Sequence, residues 1–322
     1  MRTKSEYQTL ERTRKVVFGL KASIYRKLKL QRANPSDLPP YQYKKLEQNE
    51  FRLLVLLKGK GEERIRVEIE HANVIEEHHY AALSYVWGDP NKCHPVIIGD
   101  EGVHWATYNL WQALKRIRAE DEDRVLWVDA ICINQKDDKE KEQQIQFMSR
   151  IYPQANRVLS WLGDDDGLVA EAFKELRRWS LAYGDEDRTF QLGMEVRTQS
   201  GNRRLDQSVV LGALFNRPYF RRAWCLPEVC TDSSKAPMLL CGAHELSWTR
   251  LVLGVLAMAD VLTGDHIAMY AGANIIYVLP MLSLCWKAPE QRLLSNLIPY
   301  MEDREVTKPH DRIFALLGLA QG

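Results

Sequence analysis

This sequence predicts an α/β fold: an open, mostly parallel sheet with helices on its faces. Between residues 80 and 180, short apolar runs of strand length alternate with segments whose apolar residues recur at helical spacing, and turns bearing Gly or Pro separate them. The length of 322 residues, with 45% hydrophobic and 27% charged, is large enough to bury a sizeable core.

Taken in order, Phe51–Leu57, apolar but for Arg52, reads as a strand, and Ile65, Val67 and Ile69 alternate with charged residues across a Gly59-Lys60-Gly61 turn. Tyr80–Val86 reads as a strand ending in the turn Trp87-Gly88-Asp89-Pro90. Val96–Ile98 and Val103–Trp105 flank Gly99-Asp100-Glu101-Gly102, a hairpin signal. Leu110, Leu114 and Ile117 share one helix face. Val125–Ile133 reads as a buried strand interrupted by Asp129. Ile145, Met148, Ile151 and Tyr152 mark a second helix. Arg157–Leu162 is a further strand, closed by Gly163 and Asp164-Asp165-Asp166, and Ala172, Phe173, Leu176 and Trp179 mark a third helix. Residues 184–208 are polar and read as a long loop. Beyond Cys241 the text is mostly helical, through Trp248–Leu262, Leu293–Met301 and Ile313–Leu319.

The net charge of +1 divides unevenly. Residues 1–32 hold ten Lys/Arg against Glu6 and Glu11, a balance of +8, which leaves −7 on the rest. Val16, Val17, Leu20, Ile24 and Leu28 give this leader an amphipathic helical pattern. A packed, solvated helix is the favoured reading; contact with anionic lipid is the weaker one. Such a body is not that of a dedicated nucleic-acid binder. No apolar stretch reaches the roughly 18 residues of a membrane span, and residues 1–30 carry no secretory signal, so a cytoplasmic location is expected. Cys93, Cys132, Cys225, Cys230, Cys241 and Cys285 form no C-x-x-C pair; they read as reduced thiols, and no metal site is expected. His71, His78, His79 and His94 lack metal-ligand spacing and read as exposed loop residues. Ser84 lacks the G-x-S-x-G elbow of a hydrolase. The three domains expected are a basic leader and linker at 1–40, an α/β domain at 41–240 and a helical extension at 241–322.

Chemistry is expected beyond the carboxyl ends of the strands. Three segments there combine polar and aromatic residues: Ser84–Asp89, Asp129–Gln135 and Arg221–Glu228. Trp224 and Glu228 are four apart. Pro227 puts Glu228 near a helix start, where the dipole favours an ionised carboxylate. From residue types alone, the reading favoured is structural: Trp224 in the core and Glu228 capping or paired with Arg221 or Arg222. Asp129 likewise reads as a loop-fixing acceptor. Trp127 and Trp161 read as core, and Trp87 as the exception in a turn.

Tyr80–Gly88 (YAALSYVWG) resembles the opening motif of the fungal heterokaryon incompatibility (HET) domain. Leu126–Gln135 (LWVDAICINQ), Glu142 to Tyr152 and Val158–Gly163 resemble its second block, Phe220–Glu228 (FRRAWCLPE) its third, and Lys308–Leu319 a segment that often follows. Pro227 stands where the family usually has Gln. The resemblance implies a role in non-self recognition and programmed cell death, and a distant kinship with Toll/interleukin-1 receptor (TIR) domains, hence a TIR-like, flavodoxin-like core. Trp224-Cys225-Leu226-Pro227-Glu228 is similar to the plant TIR segment whose glutamate is catalytic in NAD hydrolysis. By that likeness Glu228 is the catalytic candidate. Tyr85, Trp87, Gly88, Asp89, Asp129, Asn134, Arg222 and Trp224 are the binding candidates, with NAD+ as substrate rather than cofactor. Self-association and protein partners in incompatibility signalling are expected, without a specific nucleic acid. The rival reading is a non-catalytic homotypic interaction module.

Overall fold

The computed structural model describes residues 34–320, other than 101, 199–201, 231–236, 263–270, 272–274, 276, 279–280, 282–292 and 318. The basic leader and Cys285 lie outside the described residues. One sheet contains β1 (Glu50–Leu56), β2 (Arg66–Asn73), β3 (Ala81–Tyr85), β4 (Cys93–Ile98), β5 (Gly102–Thr107), β6 (Arg124–Trp127), β7 (Arg157–Trp161), β8 (Met238–Cys241) and β9 (His244–Ser247), in the order β5-β4-β2-β1-β6-β3-β7-β8-β9.

Its centre, β6-β3-β7-β8, is parallel throughout. In chain order these four strands lie 2-1-3-4, the flavodoxin-like order, and the switch point falls between β3 and β7. Antiparallel pairs extend both sides: β1 joins β6 and β2 on one, and the β8–β9 hairpin finishes the other. The predicted β4–β5 hairpin forms, with β4 parallel to β2. The Pro39-Pro40 linker continues the sheet: Tyr41 N donates to Val103 O at 3.0 Å, and Val103 N to Pro39 O at 2.9 Å.

The helices that concern the site are α1 (Tyr108–Ile117), α2 (Asp129–Cys132), α3 (Asp138–Gln154), α4 (Val169–Ser180), α5 (Glu186–Thr198), α6 (Asn202–Phe215), α7 (Pro218–Arg221), α8 (Cys225–Val229), α9 (Trp248–Val261), α10 (Leu294–Leu297) and α11 (Asp311–Leu317). α1 buries Leu110, Ala113, Leu114 and Ile117 on the predicted face. Asp137 caps α3, its carboxylate accepting from the Lys139 and Glu140 amides at 3.1 Å each. Strand β8 shows how two cores share the sheet: Leu239 and Cys241 enter one, and Leu240 the other. Among the described residues no helix is long and apolar enough to cross a membrane.

Three expectations need correction. Residues 184–208 are not a loop, for α5 and the start of α6 occupy them. Thr189, Leu192 and Val196 give α5 one narrow buried stripe between charged residues. The run Val125–Ile133 is not one strand: β6 stops at Trp127, and Ile131 N and Cys132 N turn back to the Val128 carbonyl at 3.0 and 2.7 Å. Beyond Cys241 the described chain is mostly helical as expected, after the short strand β9 that pairs with β8. His71 and His94 sit on strands β2 and β4 rather than in loops; His94 stacks on Trp111 with centroids 4.5 Å apart.

The C-terminal segment is stitched to the strip that leads into α8. Glu305 N donates to Arg221 O at 2.9 Å, and Ala223 N donates to Glu305 O at 3.1 Å. Arg304, only 2% exposed, donates to the carbonyls of Phe220 and Tyr277 at 2.7 Å and of Tyr300 at 3.0 Å. Its cation thereby satisfies backbone acceptors from three stretches of chain that burial would otherwise leave costly.

Candidate active site

β3 is buried over Ala82-Leu83-Ser84-Tyr85, then emerges at Trp87 and turns at Gly88, whose φ of +81° suits glycine. Past the switch point, Asn109 ties the exits of β3 and β7 together. Its Nδ2 donates to Val86 O at 2.5 Å, and its Oδ1 accepts from Trp161 Nε1 at 2.8 Å. The described crevice between these two strands is therefore bridged by a side chain of α1.

A second cluster forms where α2, α7 and α8 meet the end of β3. Pro218 opens α7 and turns Tyr219 fully inward. Helix α8 has Trp224 as its N-cap residue with no side-chain cap bond, and it directs Glu228 inward. Glu228 is 6% exposed. Ser84 Oγ donates to Glu228 Oε2, and Ser84 Oγ lies 2.8 Å from the Tyr219 hydroxyl. Desolvation raises the Glu228 carboxyl from an ordinary 4.5 to about 8; the Ser84 hydrogen bond opposes this, the charge of Asp129 adds to it, and Arg222 and Tyr152 pull back. The group is thus largely protonated at neutral pH. That differs from the ionised carboxylate expected of a helix start, because a five-residue helix has little dipole to set against burial.

Close to Glu228 lies a partly exposed shelf of Trp87, Asp129 and Arg222, the last two near enough for their charges to act on its carboxyl. Trp87 Nε1 donates to Asp129 Oδ2 at 2.7 Å, and the Ala130 amide donates to Asp129 Oδ1 at 2.7 Å. The Arg222 guanidinium carbon stands 6.0 Å from the Trp87 ring centroid, at the edge of cation–π range. Desolvation pushes the Asp129 carboxyl up, and the Trp87 N–H and the Arg222 charge hold it down. The Tyr85 hydroxyl is buried against Asp129, and burial, followed by the charge of Asp129 and its hydrogen bond, lifts it well above its ordinary value. A flat aromatic face, a cation, two carboxyl groups and a buried phenol thus converge within one cluster.

The structure brings Tyr85, Trp87, Asp129, Arg222 and Glu228 together. Gly88 follows as the turn. Asp89 is spent locally, accepting from the Asn91 amide at 2.9 Å, and Asn134 caps its own turn by accepting from Lys136 N at 3.2 Å. Trp224 packs half-buried on the core that holds α4 and α9. The expected ion pairing of Glu228 with Arg221 or Arg222 is absent among the described contacts: Arg221 reaches Glu305 at 3.1 Å instead. Sequence reasoning missed Ser84, Tyr152 and Tyr219 as partners of Glu228. The signal for them is a polar residue inside a fully apolar strand or helix face. It also missed Arg52, fully buried on β1. Arg52 grips Glu140 through both nitrogens at 2.6 and 3.0 Å and donates to Cys132 O at 3.0 Å, fixing the loop after α2.

Residues 80–228 match the family model described as heterokaryon incompatibility protein (HET). This chain carries a HET domain. The match starts one residue before β3 and ends on Glu228 itself, so it contains the whole cluster described above. The chain is also similar to heterokaryon incompatibility protein 6, OR allele, of Neurospora crassa, with 26% identity over 294 residues. That alignment covers 75% of this chain and 43% of the relative's length. No solved structure matches. Among the described residues, no group of His, Cys, Asp and Glu in the HET domain or around it is arranged to hold a metal ion. The five described cysteines are free thiols.

Proposed function

We propose that the HET domain of this chain hydrolyses NAD+ to nicotinamide and ADP-ribose, and that it acts as an effector of cell death in fungal non-self recognition. The observation that carries the catalytic reading is the Glu228 carboxyl, buried close to a shelf of Trp87, Asp129 and Arg222 at the carboxyl end of a parallel strand. The relative named for heterokaryon incompatibility supports the biological role.

The chemistry suits a single carboxylate. The bond to be broken joins ribose to a cationic nicotinamide, a leaving group that needs no proton, so the paired acid and base of ordinary glycosidases are unnecessary. Glu228 would hydrogen-bond a ribose hydroxyl and, once ionised, stabilise the oxocarbenium charge that develops as nicotinamide departs. The resting group is protonated, but a cationic ring arriving beside it lowers its pKa. Trp87 offers a stacking face and Arg222 a cation for the pyrophosphate.

A second reading has its own observation: Glu228 is already hydrogen-bonded and almost fully buried, as a structural residue in an interaction module would be. The two separate in cells that express the full chain. The catalytic reading expects intracellular NAD+ to fall before viability does, and a folded Glu228→Gln variant to spare both. Death that persists in that variant, with NAD+ intact, would establish the interaction module instead.

A further inference from the structure

We propose that Ser84 is the positioning residue of Glu228, delivering to its Oε2 the last link of a directed donor chain that runs Tyr219 to Ser84 to Glu228. The inference deepens the catalytic reading and rests on it for its functional meaning, while its geometry stands without it. A serine hydroxyl has one proton and two lone pairs. Once Glu228 is ionised its Oε2 can only accept, so the Ser84 proton goes there, and the Tyr219 hydroxyl at 2.8 Å then donates and Ser84 accepts. Ser84 and Tyr219 are both fully buried, which keeps water from replacing either link.

The chain has a sense. Each donor polarises the next, and the last one points at an acceptor, so the arrangement favours the ionised form of Glu228 and fixes which oxygen is engaged. Six groups act on this carboxyl from the elements around it. Tyr85 from β3 and Tyr219 from α7 are buried phenols, and Asp129 from α2 opposes ionisation. Arg222 and Tyr152, from the strip after α7 and from α3, assist ionisation, and Cys225 shares the short helix. Beside these, Ser84 donates a hydrogen bond directly to a carboxyl oxygen, and of the hydrogen bonds to this group it holds the ionised form most strongly.

The test titrates Glu228 in the full chain by infrared spectroscopy, with its carboxyl band assigned by its loss in Glu228→Gln. Ser84→Ala removes a hydrogen bond to a charged group, which corresponds to an upward shift of the midpoint by roughly one pH unit or more. Tyr219→Phe keeps the packing and the direct link, and the expected shift is upward but smaller. Ser84→Thr retains the hydroxyl and is expected to stay near wild type. Should Ser84→Ala not fold, Tyr219→Phe alone decides, since its midpoint must still rise. Midpoints in Ser84→Ala and Tyr219→Phe that stay at the wild-type value, or move down, overturn the proposal. Nicotinamide release followed over the same pH range keeps the two ideas apart. Wild type that titrates as described but releases no nicotinamide retains the donor chain and removes the enzyme. Release whose pH profile ignores Ser84→Ala and Tyr219→Phe retains the enzyme and removes the donor chain.

Discussion

A carboxyl that stays protonated near neutrality leaves a mark on stability. Folding raises Glu228 from 4.5 to about 8, so between those values the folded chain holds a proton that the unfolded chain has released. The resulting contribution is complete below about pH 4.5 and is lost as pH rises towards 8. Glu228→Gln stays neutral throughout. Its Tm is predicted to fall less than that of wild type between about pH 5 and 8, as thermal melts at several pH values would record; parallel declines would contradict the buried, neutral carboxyl. At this scale the sequence was half legible. The Trp224–Glu228 segment singled out the carboxyl that the structure buries in the cluster. Its protonation was not readable, because burial comes from Ser84, Tyr152 and Tyr219, which lie 144, 76 and 9 positions away in the chain.

Elements were legible wherever one wide apolar face marked them, as in α1 and α4, and illegible where tertiary contact alone decided. Helix α5 is exposed on most sides and presents Thr189, Leu192, Gly193 and Val196 inward, a stripe too narrow and polar to mark a helix in the sequence. Strand β9 has four residues, too few for a periodicity to show. The packing of α9 against α4 gives an element-scale prediction. A Cβ on Gly254 would stand 2.7 Å from the Leu176 carbonyl oxygen, a backbone atom that cannot rotate away. Helix propensity alone would make Gly254→Ala stabilising by about 1 kcal/mol. The close approach reverses that sign, at an overpacking cost of about 1–3 kcal/mol. Urea unfolding is therefore expected to show a lower midpoint for the variant; a higher midpoint would mean that the two helices separate freely.

At the scale of the whole molecule, the central parallel strands present the cluster, and the flanking parts hold it in shape. Arg52 and Glu140 pin the loop after α2 from one side, and Arg304 and Glu305 pin the strip before α8 from the other. The order of strands and helices was readable from apolar periodicity and turn residues through residue 180, apart from the short helix α2 after Trp127. The return of residues 303–305 to Arg221–Ala223 was not, since nothing local in either segment announces it. The central claim is that this assembly cleaves NAD+ through Glu228, and nicotinamide release by the purified full chain at high protein concentration tests it most directly. The account predicts release by wild type that climbs as pH approaches about 8, and none by folded Glu228→Gln. Equal release by the two proteins, or no release by wild type at any pH, would contradict it.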